Sequence, residues 1–311
     1  NIDQGVIFSE GGCNVYIPDA NFKEALLANA VINTNNDSEI QYGEAEAYTG
    51  AIEVANLGIS DMTGLEAFKS GTGLDCSANN LSQLIVRRNA SLVSIDCGNN
   101  ELGSLDVSLN PALETLNCAS NQLKGLELSN TNNLRQLDCQ SNQLEILDLS
   151  VNVNLTELYC QSNQLRSLDV KNGNNEQITA FDARNNPSLS CIAVDDAAYS
   201  AANWPNVDVQ GLFNEEGCAV VYIPDAGFKA ALLANTDINT NGDTEIQVSE
   251  AKAYTGDIQV PSTGISDMTG LEAFTKLTAL DCSGNQLSQL DVKANELLTQ
   301  LNCSNNQLSR L

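Results

Sequence analysis

Five cysteines, Cys76, Cys97, Cys118, Cys139 and Cys160, stand 21 residues apart, and Cys282 and Cys303 repeat the interval. A fixed period overrides the default of two or three globular domains for a chain of 311 residues. A unit of about 21 residues cannot bury its own apolar edge and becomes stable only by stacking on copies of itself. The units share one lettering, as in Leu116-Asn-Cys118-Ala-Ser-Asn121-Gln-Leu123 and Leu137-Asp-Cys139-Gln-Ser-Asn142-Gln-Leu144. Leucine and cysteine two apart lie on one face of a short strand. The asparagine three residues after the cysteine is placed to bond neighbouring backbone as the chain turns. One strand per coil, paired in parallel with the next, predicts strands near Ile52, Leu74, Ile95, Leu116, Leu137, Leu158, Phe181 and Ile192. The cysteines then form a column inside the core, about 4.8 Å apart, acting as small hydrophobes. Their spacing lacks the CxxC pairs of a zinc site.

The pattern LxxLxCxxNxLxxLxV resembles the leucine-rich-repeat family along essentially the whole chain. Its cysteine variant, with the LDCSxNxL rhythm, is similar to secreted modular proteins of Bacteroidetes-type bacteria. The resemblance implies an α/β repeat solenoid: a leucine-rich-repeat array of parallel strands in coils of about 21 residues, closed by small helix-loop-helix caps. For function it implies interaction.

Exposed solenoid ends are costly apolar edges, so caps are expected. Residues 14–50 supply one, with a helix entered at Ile17-Pro-Asp-Ala and carrying Phe22, Leu26 and Leu27, a polar loop, and a second short helix around Glu44 to Tyr48. The array runs over 51–190, and 191–218 close it. Trp204 is expected to pack over the end, and Cys191 and Cys218, which bracket the closing segment, to form a disulfide that implies an oxidising location. A second cap follows at 219–256 and a second array at 257–311. Ile223-Pro-Asp-Ala repeats Ile17-Pro-Asp-Ala, and the segment from Gly264 repeats that from Gly58, with a period of about 206 residues. Residues 1–13 resemble the run up to Cys218, so they read as the tail of a preceding module and the chain as a piece of a longer tandem protein.

The cap loops carry the sharpest chemical motif. Asn33, Asn35, Asp37, Glu39 and Glu44, with Ile40 between the last two, follow the oxygen-ligand spacing of an EF-hand loop. Asn239, Asn241, Asp243, Glu245 and Glu250 repeat it. The spacing makes structural calcium the one cofactor expected. Two departures stand against it: asparagine at the first position, and Ser38 or Thr244 where the sharp turn favours glycine. A loop held by side-chain-to-backbone hydrogen bonds is the metal-free alternative.

The outward face of the array is acidic and small, with Asp75, Asp96, Asn117, Asp138 and Tyr159 before the cysteines and Ser77, Gly98, Ala119, Gln140 and Gln161 after them. Interface hot spots favour Trp, Tyr and Arg, which singles out Tyr159 with Glu157, Gln161 and Arg184 as the candidate binding face. With 14 basic residues against 40 acidic ones, a formal charge of −26 and no histidine, no phosphate-neutralising patch is available for nucleic acid. No apolar run is long enough for membrane insertion. A histidine triad, a Gly-rich phosphate loop and a GxSxG elbow are all missing, so no enzyme is expected. The reading that results is a secreted or cell-surface repeat protein acting in adhesion or recognition within a tandem stalk, with an unknown protein or glycan ligand. The alternative is a structural subunit of an extracellular filament, whose partners are copies of itself.

Overall fold

The computed structural model describes residues 13–208, 213–215 and 217–308, so the expected tail at 1–13 falls, but for Cys13, outside the described residues. By contacts the chain divides into two compact units, one reaching to Leu189 together with Val194–Glu215, the other made of Ser190–Ala193 and the chain beyond Glu215.

The first unit opens with α1 (Ala20–Ala28) and α2 (Tyr42–Ala47). Asp19 caps α1: its Oδ1 accepts the N–H groups of Asn21 and Phe22, two of the donors that a helix start leaves without a partner. Its other oxygen accepts from the backbone and hydroxyl of Ser60, tying the cap to the coil below. Gly64, at φ 106°, passes so close to the chain before α1 that a Cβ there would stand 2.7 Å from Ile17 Cγ1. Only glycine fits that approach.

Strands β1 (Ala51–Glu53), β2 (Gly73–Asp75), β3 (Ser94–Asp96), β4 (Thr115–Asn117) and β5 (Gln136–Asp138) follow, one per coil. With β6 (Ile146–Asp148), β7 (Glu157–Tyr159), β8 (Ser167–Asp169) and β9 (Ala180–Asp182), they form a seven-stranded parallel sheet in the order β1-β2-β3-β4-β5-β7-β9, while β6 and β8 pair in parallel within a second sheet. The expectation of one strand per coil is therefore corrected. The Leu147-Asp-Leu149 and Leu168-Asp-Val170 stretches hold strands of their own, because their alternating apolar residues also turn inward and stack.

Every coil sends the same side chains inward. Leu74, Ile95, Leu116, Leu137 and Leu158 make one column, and Cys76, Cys97, Cys118, Cys139 and Cys160 the next; all are buried. At the far end of the array Trp204 stacks flat on Phe181, ring centroids 4.3 Å apart, and its indole N–H donates to Ile178 O. The helix α3 (Ala197–Asn203), preceding Trp204, and the short β11 (Phe213–Asn214) complete that closure.

The second unit holds β10 (Cys191–Ala193), α4 (Ala226–Leu233) and α5 (Val248–Ala253), then β12 (Asp257–Gln259), β13 (Ala279–Asp281) and β14 (Gln300–Asn302) in a three-stranded parallel sheet. Its cap repeats several contacts of the first. Asp225 caps α4 and reaches Ser266, and Gly270 repeats the left-handed turn of Gly64 at φ 103°. Among the described residues no helix is long and apolar enough to cross a membrane.

Candidate functional site

Three groups of predicted site residues can be placed. In the first cap loop, Asn33 donates to Leu27 O and Asp37 O while its own oxygen accepts from Asp37 N. Asn35 Nδ2 donates to Asp37 Oδ2, and Glu39 pairs with Lys23 at 2.8 Å. One Glu44 oxygen takes the hydroxyl and N–H of Thr34, the other the N–H of Gln41, so this carboxylate joins the loop to the start of α2. Gln41, 5% exposed, was not among the predicted ligands. Its amide nitrogen donates to Asp37 Oδ2 at 3.0 Å and its amide oxygen accepts from Asn35 at 2.8 Å.

The second loop repeats most of this, except that the Asn239 oxygen accepts from Gly242 N. Asn239 bonds Leu233 O and Asp243 O, Glu245 pairs with Lys229, Glu250 holds Thr240 and Gln247 N, and Gln247 bridges Asn241 and Asp243. The fold thus gathers the ten loop residues, but with amide N–H groups facing the carboxylates that a calcium ion would need. Calcium takes six to eight oxygens turned toward one point. In both loops the asparagine and glutamine amides donate to Asp37 Oδ2 and Asp243 Oδ2, oxygens that such a ligand set would use.

The outward row of the seven-stranded sheet is the second group. Most of its acidic residues serve the backbone: Asp75, Asp96, Asp138 and Asp182 each accept the N–H two residues on. These are side-chain-capped turns that end each strand, so the acidic character of the face is in large part a cost of the fold. Tyr159 replaces the pattern between Asp138 and Asp182, its neighbours in register. Glu157 accepts from Gln136, Gln161 donates to Gln140, and Arg184 is held by Asp182, so the four candidate residues do share one region of the sheet. The Arg184 charge is already paired there.

Cysteines form the third group. Burial pushes the Cys76 thiol up to about 12, with the charges of Asp75 and Asp96 adding to the effect. Cys97, Cys118 and Cys139 are raised well above the usual range by burial first and by neighbouring thiols second. Thiolate is the reactive and metal-binding form, so this column is chemically silent at neutral pH. Cys191 and Cys218 are bonded to each other, their Cα atoms 5.7 Å apart. Among the described residues, no three acidic or cysteine side chains converge as a metal-binding group.

Parallel strands in stacked coils, an inward leucine and cysteine lettering and an asparagine ladder define a leucine-rich-repeat solenoid. Among solved structures the chain is similar to the functional domain of InlJ from Listeria monocytogenes, which includes a cysteine ladder, at 23% identity and TM-score 0.46, over 97% of this chain and 64% of that one. It is similar also to an internalin, inlF, from the same species, at 18% identity and TM-score 0.46, over 95% of this chain and 78% of the other. A leucine-rich-repeat protein of Leptospira interrogans matches at 16% identity and TM-score 0.38, over 86% and 69%. The chain therefore spans just under two thirds of the length of the InlJ domain. No protein-family model and no curated protein matches the sequence. At these levels of similarity the fold rests on the coil geometry itself.

Proposed function

We propose that the chain is a non-enzymatic recognition or adhesion module of a secreted or cell-surface tandem protein. The observation that carries this reading is a contrast within the chain. Inward positions repeat from coil to coil, while the residues that open the strands, Ala51, Gly73, Ser94, Thr115, Gln136, Glu157 and Ala180, change at every step along the ladder. Packing and turn formation account for the repeated letters, whereas a varied row on a fixed scaffold is what a specific partner reads. The bonded pair Cys191 and Cys218 supports an oxidising, extracellular setting. The second module, which repeats the first cap and the coils after it, supports a tandem arrangement.

A protein-array and glycan-array screen with the whole chain tests the reading. A binder weakened about ten-fold or more by Tyr159→Ala, equivalent to roughly 1.4 kcal/mol, is the expected result. A chain that binds nothing on either array, or that forms regular fibres by itself in electron micrographs, would sink recognition and favour the filament. Thiol counting on the unfolded, unreduced chain should find eight reactive cysteines of the ten; ten would remove the extracellular argument.

A further inference from the structure

In the second half of each coil a Leu-acid-apolar triplet recurs. The acid, Asp106, Glu127, Asp148, Asp169 or Asp291, accepts the N–H two residues on and so caps a turn. The first coil breaks this rule. Ile85 stands in the acid's place with 49% of its surface exposed, and Arg87 and Arg88 follow it. Ile85 thus offers a half-exposed apolar side chain where the other coils place a turn-capping acid.

These residues border a groove of ≈ 690 Å³ beside the first cap, whose opposite rim carries Tyr42, 45% exposed. The charges lining the groove are unequally committed. Asp61 accepts Thr63 N, Glu66 accepts Gly64 N, and Lys69 is paired with Glu46. Among the described residues, Arg87 and Arg88 have no ion pair and no side-chain hydrogen bond, in a chain of charge −26 where acidic groups are plentiful. Arg87 acts on Asp106 only at longer range.

The second module has a smaller groove of ≈ 410 Å³ at the corresponding place, without these features. There Asp291 replaces Ile85, Ala294 replaces Arg88, Val248 replaces Tyr42, and Lys293 is turned to Asp291 at 3.6 Å. Corresponding grooves in the two modules thus carry different chemistries.

We propose that the first groove is a docking site for an acidic peptide segment of a partner protein, with carboxylates on Arg87 and Arg88 and an aliphatic side chain against Ile85 and Tyr42. Guanidinium groups bind carboxylates in bidentate fashion, and two of them free in an acidic molecule select an anion by complementarity. The isoleucine favours a peptide over a polyanionic glycan, because an aliphatic patch is matched by an apolar side chain, whereas sugar rings pack on aromatic faces. The volume suits a short segment. This inference rests on the reading of the chain as a recognition module and adds a second surface to it, apart from Tyr159.

A rhodamine-labelled octapeptide of alternating glutamate and leucine, titrated into the whole chain and followed by fluorescence anisotropy, provides the test. Saturable binding is expected, weakened at least ten-fold by Arg87→Glu with Arg88→Glu and unchanged by Lys293→Glu in the second groove. Ile85→Asp, which restores the turn-capping rule and so preserves folding, should also weaken it several-fold. No saturable binding, binding indifferent to the arginine and isoleucine variants, or binding lost equally with Lys293→Glu would overturn the proposal. So would heparin or polygalacturonate fragments that bind in the peptide's place and more tightly. If the groove fails while an array partner still depends on Tyr159, the recognition reading stands without it.

Discussion

Asn121 shows how one residue type carries the coil. Its amide nitrogen donates to Cys118 O in its own coil and to Cys97 O in the coil before, and its oxygen accepts Leu102 N, at 2.9 to 3.1 Å. Asn100, Asn142 and Asn163 repeat the arrangement, so each cysteine carbonyl between them receives two amide N–H groups. Replacing Asn121 by alanine leaves Leu102 N without a partner inside the core and weakens two carbonyl bonds. A loss of about 3 kcal/mol is expected in denaturant titration, since an unsatisfied buried donor costs more than a hydrogen bond gains. At the same scale, Gln41 fills the cap loop with its own amide. Adding calcium or chelator should therefore leave the melting temperature unchanged, while Gln41→Ala should lower it; a rise with calcium would restore the EF-hand expectation. The asparagine ladder was legible from its spacing. The glutamine was not, because only the folded loop brings its amide against Asp37.

Helical caps and strand ends act through single carboxylates. For Asp19 burial works to raise the pKa, but hydrogen bonds from Ser60, Phe22 and Asp61 outweigh it and hold the carboxyl below its ordinary value of 3.8. A carboxyl depressed in the folded state contributes stability that is present above that ordinary value and lost as pH falls through the folded one. Asp19→Asn should therefore cost stability at neutral pH and flatten the decline below about pH 4; thermal melts of both forms between pH 2 and 7 measure this. An equal loss at every pH would show that the carboxyl's charge is not what matters. The second strand in some coils escaped the sequence reading for a related reason. The same Leu-x-Leu alternation serves core packing whether or not the backbones pair, and pairing depends on how far neighbouring coils come together.

For the molecule, the cysteine column and the disulfide are the two global determinants. Thiols that stay protonated to about pH 12, as Cys76 does, bind their proton more tightly folded than unfolded. Their contribution is complete below the ordinary value of 9.0 and is lost as pH rises through the folded value. Stability should accordingly fall above pH 9, and an alanine variant of Cys97 and Cys118 should fall less steeply. In the native protein an aromatic disulfide reagent at pH 8 should modify exposed Cys13 and half-buried Cys303, and reach Cys76, Cys97, Cys118, Cys139 and Cys160 only on unfolding. Reducing the pair Cys191 and Cys218, which are 27 residues apart, should cost about 3 kcal/mol by releasing a closed loop. Melting curves with and without reductant check it, and no shift would make the bond dispensable for stability.

The sequence by itself determined the period, the inward lettering, the parallel strands, the duplication and the bonded pair Cys191 and Cys218. Each of these follows from local geometry, because stacking copies of one short unit leaves a single way to bury leucine and cysteine. Only the tertiary structure decided which charges are free. Asp75, Asp96 and Asp138 read as an acidic face and proved to be turn caps, and the EF-hand spacing at Asn33 to Glu44 closed on its own amides. Arg87 and Arg88 stood in the sequence as two cations among many acids, and Ile85 as an ordinary apolar residue. Whether a side chain is spent on its own backbone or left for a partner depends on distances across coils and loops, which no spacing along the chain encodes.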